Sequence, residues 1–125
     1  YNENGELSAT IRVRTDRRLH PPADLIAYND WLLLADSTRD VIHFLKPEGQ
    51  YSKFIGGLDQ LKSMTTTSNG IWALTSDYLV QLNANGRYIR AFKLPSNVDP
   101  VDIGIYGKNV YVLTHQQLWT GTLPD

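Results

Sequence analysis

Three segments of this chain align with one another at a fixed spacing: Asp30-Trp31-Leu32-Leu33-Leu34-Ala35-Asp36, Asn69-Gly70-Ile71-Trp72-Ala73-Leu74-Thr75 and Lys108-Asn109-Val110-Tyr111-Val112-Leu113-Thr114. Their closing residues, Asp36, Thr75 and Thr114, stand 39 positions apart. A repeat of this length restricts the fold more than any other feature. One such unit is too small to bury its own apolar face, so units must stack as blades of a propeller or turns of a solenoid.

Within each unit, short alternating or wholly apolar runs are separated by Gly, Asn, Asp and Pro, the punctuation of antiparallel strands. No stretch sustains helical periodicity, although Asp59 to Lys62 could form a single turn of helix. The first unit reads as strands at Asp24–Tyr28, Trp31–Ala35, Val41–Leu45 and Gln50–Ile55. The second reads as Ser63–Thr67, Ile71–Thr75, Leu79–Asn83 and Arg87–Leu94. The third supplies three strands only: Val101–Tyr106, Val110–Thr114 and Leu118–Thr122. Its missing fourth strand has a counterpart at the other end of the chain. Gly5-Glu6-Leu7-Ser8-Ala9-Thr10-Ile11 matches the runs starting at Gly49 and Gly86, with Leu7, Tyr51 and Tyr88 in register and Ile11, Ile55 and Phe92 likewise.

The expected fold is therefore all-β, a β-propeller of three four-stranded blades per chain. The blades span residues 19–57, 58–95, and 96–125 plus 5–14, and form a single domain. Three blades do not close a ring, whereas two copies make six. The expectation is a homodimer in which the N-terminal strand of each copy completes the last blade of the other. Half of a larger propeller is the alternative.

Composition narrows the partners. A formal net charge of −1 offers no global field for nucleic acid or an anionic membrane, and Arg12, Arg14, Arg17 and Arg18 read as a solvated strand and turn. No apolar run approaches the roughly 18 residues of a membrane span. The chain has no cysteine, which removes disulfides, thiolate metal sites and cysteine nucleophiles and fits either a cytoplasmic or an extracytoplasmic location.

The run Asp99-Pro100-Val101-Asp102-Ile103-Gly104-Ile105-Tyr106-Gly107-Lys108-Asn109-Val110-Tyr111-Val112 resembles the start of an NHL repeat, with its proline, inner strand, turn and "YV" strand. Leu33-Leu34-Ala35-Asp36-Ser37, then Arg39-Asp40-Val41-Ile42-His43-Phe44 and Gly49, is similar to the rest of that pattern. Thr75 and Thr114 replace its aspartate in the other units, and Lys62 stands near the place of a proline. The resemblance implies a six-bladed propeller. Members of that family include protein binders, RNA binders and several enzymes, and the resemblance does not choose among them.

Candidate chemistry is sparse. His20, His43 and His115 fall in three different contexts without ligand spacing, so no metal site is assigned. Asp24 and Asp102 occupy equivalent positions at the start of the innermost strand, with Ser63 between them. In a ring they would face the channel beside the loop residues Asp36, Arg39, Asp77 and His115. Such a ring of oxygens could hold Ca²⁺ or a cationic ligand. The simpler reading is that these carboxylates cap strand starts. The resemblance to calcium-dependent propeller lactonases is limited to fold, since their asparagine- and glutamate-rich inner ring is not evident. No nucleophile elbow or phosphate loop is present, and no catalytic residue is assigned. Trp72 aligns with Leu33 and Tyr111, and Trp119 with Ile42 and Val80, positions that read as core between blades. Trp31 aligns with Gly70 and Asn109 at a turn and is the tryptophan nominated as a contact residue.

The function expected is a non-catalytic ligand- or protein-binding propeller, presenting loops Arg14–Pro22, Ser37–Asp40 and Ser96–Pro100 on one face, where loop variation on a regular scaffold places binding. Its partner would be a protein or a small molecule. The alternative is a small metal-assisted hydrolase or lyase using Asp24, Asp102 and His115.

Overall fold

The structure, a computed structural model, describes residues 24–95 and 98–123. These form eleven strands in three antiparallel sheets, with no helix among them. The first sheet runs β1 (Asp24–Tyr28), β2 (Trp31–Asp36), β3 (Val41–Leu45), β4 (Tyr51–Ile55). The second runs β5 (Leu61–Thr67), β6 (Gly70–Thr75), β7 (Tyr78–Leu82), β8 (Tyr88–Lys93). The third has three strands, β9 (Pro100–Tyr106), β10 (Asn109–Thr114) and β11 (Leu118–Thr122). Asp59 and Gln60 form a turn and Leu61 already begins β5, so the helical turn expected at Asp59–Lys62 does not form. Leu61 is buried in the core, and Gln60 at a φ of 59° breaks the helical path just before it. The run matching the fourth strands, residues 5–14, lies outside the described residues.

Each sheet is a meander whose turns suit their residues. Asn29 takes a left-handed conformation (φ 52°) at the β1–β2 turn, which its short amide side chain tolerates. Gly70 opens β6 at a φ of 131°, and a Cβ there would lie 2.1 Å from the Leu82 carbonyl oxygen, so only glycine fits. The pairings of β3 with β4 and of β7 with β8 shift register at equivalent points, between Phe44 and Leu45 and between Gln81 and Leu82. Ser52 and Ile89 are the extra residues of these two bulges.

The sheets pack face to face in chain order. The first strand of the second sheet, β5, contacts both β1 and β9. Alternation along the strands divides the core in two. Leu33, Ala35, Ile42 and Phe44 of the first sheet meet Met64, Ile71, Ala73 and Leu82 of the second. Trp72, Leu74 and Leu79, on the other side of that second sheet, meet Ile103, Val110 and Val112 of the third. Every residue of β6 is consequently buried. All five residues of β11, the outer edge of the third sheet, are exposed.

Candidate binding cleft

In a stack of antiparallel meanders, the connections after each second strand and between sheets gather at one end. The residues 39 apart begin these connections, and the structure shows why they are short and polar. Asp36 Oδ1 accepts hydrogen bonds from the Thr38 and Arg39 amides, both at 3.2 Å. Thr75 Oγ1 accepts from the Tyr78 amide at 3.0 Å and donates to the Tyr78 carbonyl at 3.1 Å. Thr114 Oγ1 accepts from the Gln116 and Gln117 amides and donates to the Gln117 carbonyl. A single short side chain closes each turn by replacing a backbone partner.

At this end lies an open polar cleft of about 590 Å³. Ser37 and Asp40 reach it from the β2–β3 connection, Gln60 and Lys62 from the entry to β5, Asp99 from the entry to β9, and His115 from the β10–β11 connection. All three sheets contribute. The buried Leu61 and Pro100 line its floor, and Asp40 Oδ1 accepts from the Leu61 amide at 3.0 Å, fixing the first sheet's loop to the second sheet. Asp40 (φ 58°) and Gln60 (φ 59°) both hold left-handed backbone conformations without being glycine. Such residues concentrate where a loop must hold a set shape. A second depression of about 310 Å³ shares Asp99 and His115 with the first and extends past Gln117 to Trp119.

Of the residues nominated from sequence, His115 lines this cleft. Asp36 does not stand open on a loop: it is buried, with its second oxygen 3.3 Å from His43 Nε2. His43 is buried in turn, its Nδ1 3.2 Å from the Tyr51 hydroxyl. This Asp36–His43–Tyr51 chain joins three strands inside the first sheet, a role the sequence spacing did not disclose. Arg39 is half-buried and gives its amide to Asp36. Asp24 accepts from the Leu25 amide at 2.9 Å, and Asp102 from Ile103 at 2.8 Å and from the Ser63 hydroxyl at 2.7 Å. Asp24 is the first residue of β1 and Asp102 the third of β9, and the Ser63 contact links the second sheet to the third. Among the described residues no three His, Asp or Glu side chains converge as a metal would require. Asp77 is exposed on the β6–β7 connection.

The three tryptophans differ in setting, with Trp72 buried in the core. Trp31, at the turn end remote from the cleft, is half-buried edge-on against Phe44 (ring centroids 5.5 Å apart), with the Lys53 ammonium over its ring. Trp119 is 41% exposed on the edge strand rather than in the core. It pairs with Val112, as His43 pairs with Leu34 and Val80 with Ala73, so its counterpart is His43 and not Ile42. The β2–β3 connection is longer than its equivalents, which hid the difference. Two of the three loops expected on the binding face, Ser37–Asp40 and the end of Ser96–Pro100, do line the cleft. Arg14–Pro22 lies outside the described residues. Gln60 and Lys62 carried no signal in the sequence, being ordinary polar residues beside a strand.

No family model matches the chain, and no curated protein matches it. Solved structures do share its fold. A Bacteroides fragilis protein classed as exported superimposes with a TM-score of 0.67 at 18% identity, over 82% of this chain and 32% of that one. BBS1N, solved in complex with ARL6DN, gives 0.67 at 19% identity, over 97% of this chain and 38% of its own. The computationally designed protein Ika4 gives 0.62 at 8% identity, over 80% and 64%. The chain thus spans about a third of the length of the first two.

Proposed function

We propose that this protein is a non-catalytic binding module of the NHL-like β-propeller type, assembled from two copies into a six-bladed ring, with its ligand seated in the loop-end cleft. The observation that carries the binding reading is the cleft itself. Loops from all three sheets supply two carboxylates, an imidazole, an ammonium and an amide around one volume of about 590 Å³. Its size falls within the range of small-molecule sites, and its rim extends to an exposed indole beside His115. Polar groups of both signs suit a ligand that both donates and accepts hydrogen bonds, whether a polar small molecule or a peptide segment of a partner protein.

The ring reading draws support from the regular stacking of three meanders in chain order. A screen of polar fragments and short peptides by amide chemical-shift perturbation tests the binding reading. Shifts should cluster at Ser37, Asp40, Lys62, Asp99 and His115, and His115→Ala should abolish them. Hits confined to other surfaces, or an absence of any hit, would overturn it.

A further inference from the structure

The two ends of the stack leave uncovered the residues that its interior covers. Positions 39 apart superimpose through the first two strands of every sheet, so each face can be compared with its counterparts. On the side facing the next sheet, Ala35 and Leu74 are fully buried, whereas their counterpart Leu113 is 46% exposed. Ile42 and Leu79, which pair with those residues, are buried as well, whereas Leu118, which pairs with Leu113, is 59% exposed. Tyr106, on the same side of β9, is exposed too. The opposite side of the stack shows the complementary pattern. Met64 and Ile103 are buried against the preceding sheet, and their counterpart Leu25 is 61% exposed. Next to it, Ala27 is exposed and Leu32 and Leu34 are half-buried.

Within the molecule, these two kinds of surface meet twice: Ala35 and Met64 belong to one core cluster, Leu74 and Ile103 to the other. From this continuity we infer that the free face of the third sheet seats the first sheet of a second copy, with Leu113 of one protomer against the partner's Leu25. The contact repeats the interface between sheets two and three. His43 and Leu45 are already buried on the outer part of the first sheet, so the seam follows β1 and β2 against β9, β10 and the start of β11 at Leu118. An apolar surface of this kind, matched by a complement on the same chain, forms a head-to-tail contact, and two such contacts close a dimer with twofold symmetry. The inference rests on the six-bladed reading and specifies its seam.

The chain has no cysteine, so a designed disulfide reports without background. Light scattering of the unaltered chain should give twice its 14.2 kDa. The variant carrying Leu25→Cys and Leu113→Cys should oxidise to a covalently closed dimer, with neither single variant doing so. Leu113→Glu with Leu118→Glu should raise the dissociation constant by at least about 100-fold, because each seam would bury unpaired charge. Retained β circular dichroism in that variant distinguishes loss of the seam from loss of fold. A monomer at all concentrations up to millimolar, or a dimer without cross-linking of the paired cysteines, overturns the inference. Fragment shifts at His115 in the monomeric variant would show the binding reading to hold independently of the seam.

Discussion

The second and third sheets share strand lengths, turn anchors and a common register, yet differ almost completely in burial. The second has neighbours on both faces and a fourth strand, and β6 is buried throughout. Among the described residues the third has a neighbour on one face, and its outer strand is β11, where every residue is exposed. Leucines at equivalent positions, Leu74 and Leu113, differ from fully buried to nearly half exposed. Place in the stack, rather than residue type, decides what a side chain contributes. In a quasi-one-dimensional array, stability is the sum of each unit's own terms and those of its interfaces.

The sharpest way to break this contrast is at the glycines. Gly70→Ala places a Cβ against the Leu82 carbonyl in a conformation that side chains rarely adopt. It should cost at least about 4 kcal/mol, visible as loss of the cooperative urea transition. Gly121→Ala, on β11 with nothing within 4 Å of its added Cβ, should change stability by less than about 0.5 kcal/mol.

The tryptophans give the next largest difference. Trp72 is buried, stacks with Phe92 and donates its Nε1–H to Thr67 Oγ1. Truncation to alanine should cost about 4 kcal/mol by urea denaturation. Trp119→Ala should cost under about 1 kcal/mol, and would instead be expected to weaken fragment binding in the depression beside His115. Equal losses from the two tryptophans would mean that the outer edge at β11 is covered in solution as fully as β6.

Next come the turn anchors. Asp36→Ala frees two turn amides and removes the partner of the buried His43 Nε2, a loss of about 2–3 kcal/mol in thermal or chemical denaturation. Thr75→Ala, at a buried anchor, should cost about 1–2 kcal/mol, and Thr114→Ala, at a half-buried one, about half a kcal/mol. If Thr114→Ala matched Thr75→Ala, the end sheet would be as constrained as the middle one. The smallest signal is in hydrogen exchange: β6 amides should be protected to the global limit, and those of β11 far less.

Strand positions were legible because period-two alternation and Gly, Asn and Asp turns act locally. Three strands, Asp24–Tyr28, Val41–Leu45 and Leu118–Thr122, fall where the pattern puts them, and the other described strands differ by one or two residues at one or both ends. What depends on neighbours was harder to read. The sequence alignment places Trp119 in the core because it is one residue out at Ile42, and in a strand one residue of slip reverses the face. Asp36 looked like a loop carboxylate because nothing in its own segment shows that His43, seven residues on, folds back across the sheet to meet it. The cleft joins loops far apart in sequence, and only its two irregular loops, at Ser37–Asp40 and before Pro100, marked it in advance.

The anchors at Asp36, Thr75 and Thr114 also separate the loops they begin from the strands they end. Each closes its turn with one oxygen-bearing side chain, and the chain beyond runs four residues before β3 but only two before β7. The scaffold therefore works like a socket that grips every fitting by the same pin. Loops at the cleft can lengthen, shorten or change their chemistry while the sheets beneath keep their register, so a new specificity can be cut into this surface without the fold having to be solved again.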